Sequence, residues 1–356
     1  MNLVEISERD YRKFEEGAKT GNLLQDFSRA DFRKTLGFES YTLGVFDKKD
    51  LKACMLLLVK NGEAMIQLGP VMDYMDLKLL KFVLEEISEF CRNKNVFVLE
   101  IFPPMLVSIR DKDGNVLESF EKEAVKKCFA DAGFEFEGET IGTVAKANRF
   151  MAVKDMSEIH DEEALSKSYN YNVRRTIKKY GDQVYVETLK DLSKLADVMQ
   201  PISDSNKRNE VNDRPVSYFE DMKKYFGDEL VLQVAYSKES GEAVASHVFF
   251  NHSGELVSFL AGISEKNKHL NGMTFLYDAF YKYAIEKKLD RANLYGVEGD
   301  FSEKNQLLRF KGHFGIFVEE YVGGFKKVLD EKAYSKANRK KKLMGGLRKI
   351  KRLIKK

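Results

Sequence analysis

The sequence has no stretch approaching the roughly 20 apolar residues that a bilayer-spanning helix requires, which argues against an integral membrane protein. Met1 to Tyr11 is mixed polar and acidic rather than a basic start followed by an apolar run, so no secretion signal is expected. Cysteine is scarce. Cys54, Cys91 and Cys128 lie far apart in apolar or amphipathic surroundings, the pattern of buried thiols in a reducing compartment, not of a disulfide framework or a metal site. No metal and no resident cofactor are expected. One segment lacks acid altogether: residues 339–356 contain ten Lys and Arg and no Asp or Glu.

The chain's 356 residues exceed what one hydrophobic core usually organises, so two domains are expected. Apolar residues at 43% and charged residues at 32% are those of a water-soluble globular protein. The formal charge of +3 is unevenly spread, because removing the ten basic residues of the tail leaves 3 − 10 = −7 on the rest. A polyanion, whether tRNA or an anionic membrane surface, has its natural contact in the tail, while the body must build any anion site from local clusters.

Short alternating runs at 41–46, 51–59 and 64–68, separated by Asp-Lys-Lys-Asp and Asn-Gly, predict an antiparallel meander. Leu79, Leu80, Val83, Leu84, Ile87 and Phe90 recur at helical spacing over 76–93, and an apolar strand at 96–101 ends at Pro103. A second unit from about Arg149 repeats this grammar: helices at 161–180, 191–206 and 215–226, a hairpin at 230–251, a strand at 256–261, a long helix at 271–287 and a strand at 291–295. Hairpins mixed with crossover helices predict an α+β chain of two mixed-sheet domains, 1–148 and 149–316, the first completed by about 317–338, followed by the basic tail 339–356. Leu343, Leu347, Ile350, Leu353 and Ile354 give that tail the spacing of an amphipathic basic helix.

Four segments, taken in order, resemble the Fem family of peptidyltransferases. They are Leu23-Leu24-Gln25-Asp26 with Arg33-Lys34 and Gly37-Phe38, Gly69-Pro70-Val71-Met72-Asp73-Tyr74-Met75-Asp76, the basic run Tyr171 to Lys179, and Phe310-Lys311-Gly312-His313-Phe314-Gly315. Phe38 stands where the family pattern has Trp. The resemblance spans nearly the whole chain. It implies two domains with the fold of Gcn5-related acetyltransferases and, because no long insertion precedes the 230–251 hairpin, the short type without a coiled-coil arm. It further implies transfer of an amino acid from aminoacyl-tRNA to the stem-peptide amine of a UDP-linked or lipid-linked muropeptide precursor, by a cytoplasmic monomer that either stays in solution or touches the membrane's inner face through its tail.

Aminolysis of an activated ester needs positioning, removal of a proton from the amine and stabilisation of the oxyanion. The resemblance puts Lys311 in the last role, with Phe310 stacking on the terminal adenine; by periodicity alone they are a solvated lysine beside a core residue. His313 is an available proton acceptor. Arg33 or Lys34 on one side of the cleft and Arg208 or Arg214 on the other are the candidates for the precursor's phosphates. Gly69, Asp73 and Tyr74 form either a contact for the acceptor amine or a turn before a helix capped by Asp76. Arg174, Arg175, Lys178 and Lys179 share one side of a helix, suited to a tRNA backbone or to plain solvation. Two rivals remain. One is an acetyl-CoA-dependent N-acyltransferase, which the single glycine in Lys266 to Gly272 disfavours as a pyrophosphate cradle. The other is a non-catalytic protein that binds RNA or a membrane surface.

Overall fold

A computed structural model describes residues 1–138, 142 and 147–341. The amphipathic pattern expected at 343–354 falls outside them. The first unit runs β1 (Asn2–Glu5), α1 (Glu8–Gly17), α2 (Ser28–Thr35), β2 (Glu39–Asp47), β3 (Asp50–Lys60), β4 (Glu63–Gln67), β5 (Val71–Met72), α3 (Leu77–Asn93) and β6 (Val98–Phe102). Asn61 and Gly62 join β3 to β4 with φ of 54° and 76°, as a two-residue hairpin turn demands. α3 starts where the Asp76 carboxylate accepts from the Leu79 amide at 2.9 Å. It then buries Leu80, Val83, Leu84 and Ile87 completely against the sheet.

The chain continues through β7 (Leu106–Arg110), β8 (Val116–Ser119), α4 (Glu123–Asp131), β9 (Glu135–Phe136), β10 (Phe150–Asp155), α5 (Glu162–Ser168), α6 (Tyr171–Tyr180), β11 (Val184–Leu189), α7 (Leu195–Arg208) and α8 (Val216–Phe226). It ends with β12 (Leu230–Ser237), β13 (Ala243–His252), β14 (Glu255–Ile263), α9 (Gly272–Lys287), β15 (Arg291–Val297), α10 (Gln306–Gly312), β16 (Phe317–Tyr321) and β17 (Phe325–Val328). Where the sequence pattern predicts one helix over 161–180, there are two, because Tyr169 is extended and the Asn170 side chain caps a new start by accepting from the Val173 amide at 3.1 Å.

Two mixed sheets result, ordered β1-β2-β3-β4-β6-β17-β9, with β5 added beside β3, and β11-β12-β13-β14-β15-β10-β16-β7-β8. Each contains an antiparallel meander and one parallel pair, β4 with β6 and β14 with β15, connected over a helix, α3 or α9. The repeated grammar of the sequence is thus a repeated topology. The sheets also exchange strands: β17 pairs with β6 in the first, whereas β7 and β8 extend the second beyond β16. Among the described residues only β11, α7, α8 and a short 3-10 turn at Gly227–Glu229 lie between α6 and β12, so no coiled-coil arm is present there.

A third apolar cluster joins the units. Phe32 of α2 meets the rings of Tyr218 and Phe226 on α8 edge-on, with centroids 5.2 and 5.7 Å apart. On the other face, α7 crosses β14 so closely that a methyl group at Gly262 would lie 2.3 Å from the Ile202 amide nitrogen. Backbone cannot yield as a side chain end can. Gly262→Ala is therefore expected to cost about 1–3 kcal/mol, read as a lower urea midpoint with unchanged secondary structure.

Candidate active site: a cationic cleft between the two units

Strands β14 and β15 pair in parallel only at Glu255–Arg291, Leu256–Ala292 and Val257–Asn293. Past this point they are no longer bonded to each other. Tyr295 takes a φ of 64°, its amide turned to the Asn293 side chain at 2.7 Å, and the β10 register shifts opposite it. The opened strands, as Ser258 to Ala261 and Leu294 to Gly296, wall a cavity of about 650 Å³. Leu24, Arg29, Arg33 and Gln67 of the first unit close its other side, so the cavity lies between the two units.

Four cations line it, Arg29, Arg33, Arg214 and Lys311, and no acidic residue does among the described residues. The Asn305 side chain caps α10 and sets its register, which sends Lys311 inward. Lys311 is 4% exposed, its ammonium donating to the carbonyls of Leu294 at 2.7 Å and Gly296 at 3.0 Å. Burial pushes it down to about 7, while the carbonyls favour the protonated form. Arg29 donates to the Leu24 carbonyl at 2.8 Å and the Gln67 side chain at 2.6 Å. Burial and the neighbouring Arg33 push its guanidinium down to about 10. Arg33 lies over the Phe38 ring at 3.9 Å, and its buried Nε has no hydrogen-bond partner. A buried, unpaired donor among like charges is costly. Arg214 sits over Tyr218 at 5.1 Å.

Beside Lys311, His247 is fully buried and its Nε2 lies 2.8 Å from the Ser258 hydroxyl, which faces the cavity. Burial, then the Lys311 charge, pushes this imidazole down to about 3. It is a neutral ring that orients Ser258.

The sequence profile of the FemAB family matches residues 6–241 and 236–342. The chain belongs to the FemAB family. Curated relatives include "Aminoacyltransferase FemB" of Staphylococcus epidermidis, 24% identical over 94% of this chain and 96% of the relative. Another is "Aminoacyltransferase FemA" of Staphylococcus aureus, 19% identical over 94% and 97%. The FemB alignment runs over 407 positions against the 356 residues here, so the relative holds residues that this FemAB chain lacks. Among solved structures, FemX superposes with a TM-score of 0.79 at 15% identity, over 94% of this chain and 99% of that one. A tandem GNAT protein from the clavulanic acid biosynthesis pathway superposes at 0.57 and 10% identity, over 92% and 98%. Both likenesses concern the fold, which is the doubled acetyltransferase-like plan.

Within this FemAB fold the paired candidates separate. Arg33 and Arg214 line the cavity. Lys34 is exposed and paired with Asp31 at 2.8 Å, and Arg208 is tied to Glu265 at 2.8 Å and to the Ile263 carbonyl. Neither Lys34 nor Arg208 lines the cleft. Lys34→Ala and Arg208→Ala are expected to change the KM for the anionic substrate by less than about two-fold, measured beside the wild type.

Phe310 does not line the cavity either; its ring packs on Tyr277 and Phe314, both at 5.6 Å, although Tyr277 itself is part of the wall. Gly69 lies against the Gln25 side chain, where a methyl group would come within 2.6 Å. Asp73 and Tyr74 belong to a different cavity, of about 1000 Å³, shared with Lys13, Lys19 and Lys52. There Asp73 accepts from the Met75 amide, and Tyr74 donates to the Pro70 carbonyl at 2.8 Å. His313 is half-buried, pushed down by burial and by Arg309 and Lys112, and it does not line the cleft. Arg174, Arg175, Lys178 and Lys179 all stand exposed on α6. Sequence pattern alone does not single out Arg29, Gln67 and Ser258, which line the cleft. Arg29 was findable: it precedes Arg33 by four residues, one helical turn.

Proposed function

We propose that this protein transfers an amino acid from aminoacyl-tRNA to the stem-peptide amine of a peptidoglycan precursor. The observation that carries this reading is the cavity between the two units, lined among the described residues by four cations and no acid, in a chain of the FemAB family. Such a site suits an anionic occupant, because an anion relieves the repulsion among clustered like charges. Arg33 and Arg214, one from each side, hold the precursor's diphosphate, and Arg29 adds a further positive charge to the same wall. Lys311 faces the reacting carbonyl.

The amine attacks the ester carbon, and the negative charge that builds on the carbonyl oxygen meets the Lys311 ammonium, already oriented by two backbone carbonyls. As the tetrahedral species collapses, the bond to the ribose oxygen breaks and that oxygen takes up a proton. Among the described residues the lining holds no carboxylate base. The amine's proton therefore leaves to water or to the departing oxygen, with the Ser258 hydroxyl as relay. The exposed basic face of α6 follows the tRNA backbone. tRNA serves as co-substrate, and no bound cofactor is needed for these steps.

The acetyl-CoA reading finds less support. Gly272, the first residue of α9, lies where a methyl group would meet Val244 at 2.7 Å, so it serves helix-to-sheet packing. As for location, no described helix is long and apolar enough to cross a membrane; the basic tail at 339–356 is proposed to hold the protein at an anionic inner surface. The decisive experiment incubates the purified protein with mixed charged tRNAs and, separately, the nucleotide-linked and lipid-linked precursors. Mass spectrometry should find one precursor heavier by an amino-acid residue. If no combination gains mass, the proposal fails.

A further inference from the structure

A cluster of His, Asp and Glu lies where the two units meet, away from the residues given catalytic roles above. Glu15 comes from α1, Asp26 from the turn before α2, Glu229 from the turn before β12, and His252 ends β13. Glu15, Asp26 and His252 are 2%, 0% and 4% exposed, while one-third of the Glu229 side chain reaches solvent. His252 Nδ1 lies 3.2 Å from Asp26 Oδ2 and 3.3 Å from Glu229 Oε2, and its Nε2 lies 3.2 Å from Glu15 Oε1.

The two Nδ1 distances, 3.2 and 3.3 Å, are longer than the about 2.7–2.9 Å usual between an imidazolium and a carboxylate. They do match the edges of a tetrahedral metal shell: bonds of about 2.0–2.1 Å place neighbouring ligand atoms roughly 3.3–3.4 Å apart. Among the described residues this is the one group whose Nδ1 and two carboxylate oxygens fall mutually within 4.8 Å. A second observation concerns direction. Asp26 Oδ1 is occupied by the Ser28 amide at 2.6 Å and by Arg12, whereas Oδ2 is buried and points into the cluster, where it lies 3.2 Å from His252 Nδ1 but outside hydrogen-bonding geometry. Glu15 completes the pattern, since a carboxylate on the far ring nitrogen is the usual orienting partner of a metal-bound histidine.

We propose that His252 Nδ1, Asp26 and Glu229 bind one divalent ion of the zinc class, held in orientation by Glu15 through His252 Nε2. One nitrogen and two carboxylate ligands with a fourth position open to water suit such an ion. The ion offsets the excess of buried carboxylate. It also clamps the 24–29 segment, whose Leu24 and Arg29 wall the cleft, to the second unit.

The test uses full-length protein without a polyhistidine tag, stripped with a chelator and titrated with zinc sulfate in a calorimeter. Bound metal is counted by elemental analysis, and melting temperature is followed in parallel. One zinc per chain and a raised melting temperature are expected. His252→Ala and Asp26→Asn should abolish both, and Glu15→Gln should weaken binding by about 10–100-fold with the fold kept. If the first two variants fail to fold, Glu15→Gln and Glu229→Gln decide the matter. Folded, stripped wild type that takes up no zinc, or zinc uptake that is unchanged in the folded variants, overturns the proposal. Neither readout depends on transfer activity.

Discussion

Lys311→Met should lower the transfer rate by about 10²- to 10³-fold, the usual loss when one preorganised donor to an oxyanion is removed. Methionine keeps the unbranched stem that fills the space between α10 and β15 but carries no charge. It also leaves the carbonyls of Leu294 and Gly296 without the ammonium they now share, at a cost of about 1–3 kcal/mol in stability. The fold should survive, and circular dichroism checks that it does. tRNA affinity should be retained, since α6 is untouched. The pH profile gives a second reading. Lys311 acts as the protonated form and burial pushes it down to about 7, so the rate should fall as pH rises through that value. This falling limb should be missing in the methionine variant. A variant within about three-fold of wild-type turnover would remove Lys311 from the mechanism, because a donor worth about 10²-fold or more cannot be lost silently.

Arg33→Ala and Arg214→Ala should each raise the KM for the diphosphate-bearing precursor by about 10–100-fold, as expected for losing hydrogen bonds to a charged group at about 1.5–3 kcal/mol. Turnover at saturation should change little. Lysine should not rescue either position, because a guanidinium grips phosphate through two parallel bonds and an ammonium does not. Stability should move the other way. Arg33 repels Arg29 and carries an unpaired buried Nε, so its removal should not lower the melting temperature of the substrate-free protein. A lower melting temperature with unchanged KM would mark Arg33 as a structural residue. Steady-state kinetics with varied precursor, beside thermal melts of the same preparations, separates the two outcomes.

Much of the fold was legible because its signals are local. The Asn61-Gly62 turn, the helical spacing of Leu80, Val83 and Ile87, and the repeated meander and crossover all lie within short windows of sequence. Among the site residues, Lys311 was singled out as a motif lysine, and the structure shows it lining the cavity. Phe310, its neighbour, is turned by the helical step toward Tyr277 and Phe314.

What the sequence determined alone was the two-unit α+β plan, the missing arm and the order of motifs that led to the family. The tertiary structure decided which cations meet. Arg33 and Lys34 are adjacent and chemically alike, and only the docking of Phe32 on Tyr218 and Phe226 carries Arg33 into the cleft and leaves Lys34 in water. Arg214 was likewise separated from Arg208 by the contacts that tie Arg208 to Glu265 and Ile263. The exchange of β7, β8 and β17 between sheets, and the meeting of Asp26 with His252, join residues far apart in the chain. Periodicity reports the face a residue shares with its near neighbours, and such long-range pairings exist only once both units have folded and packed.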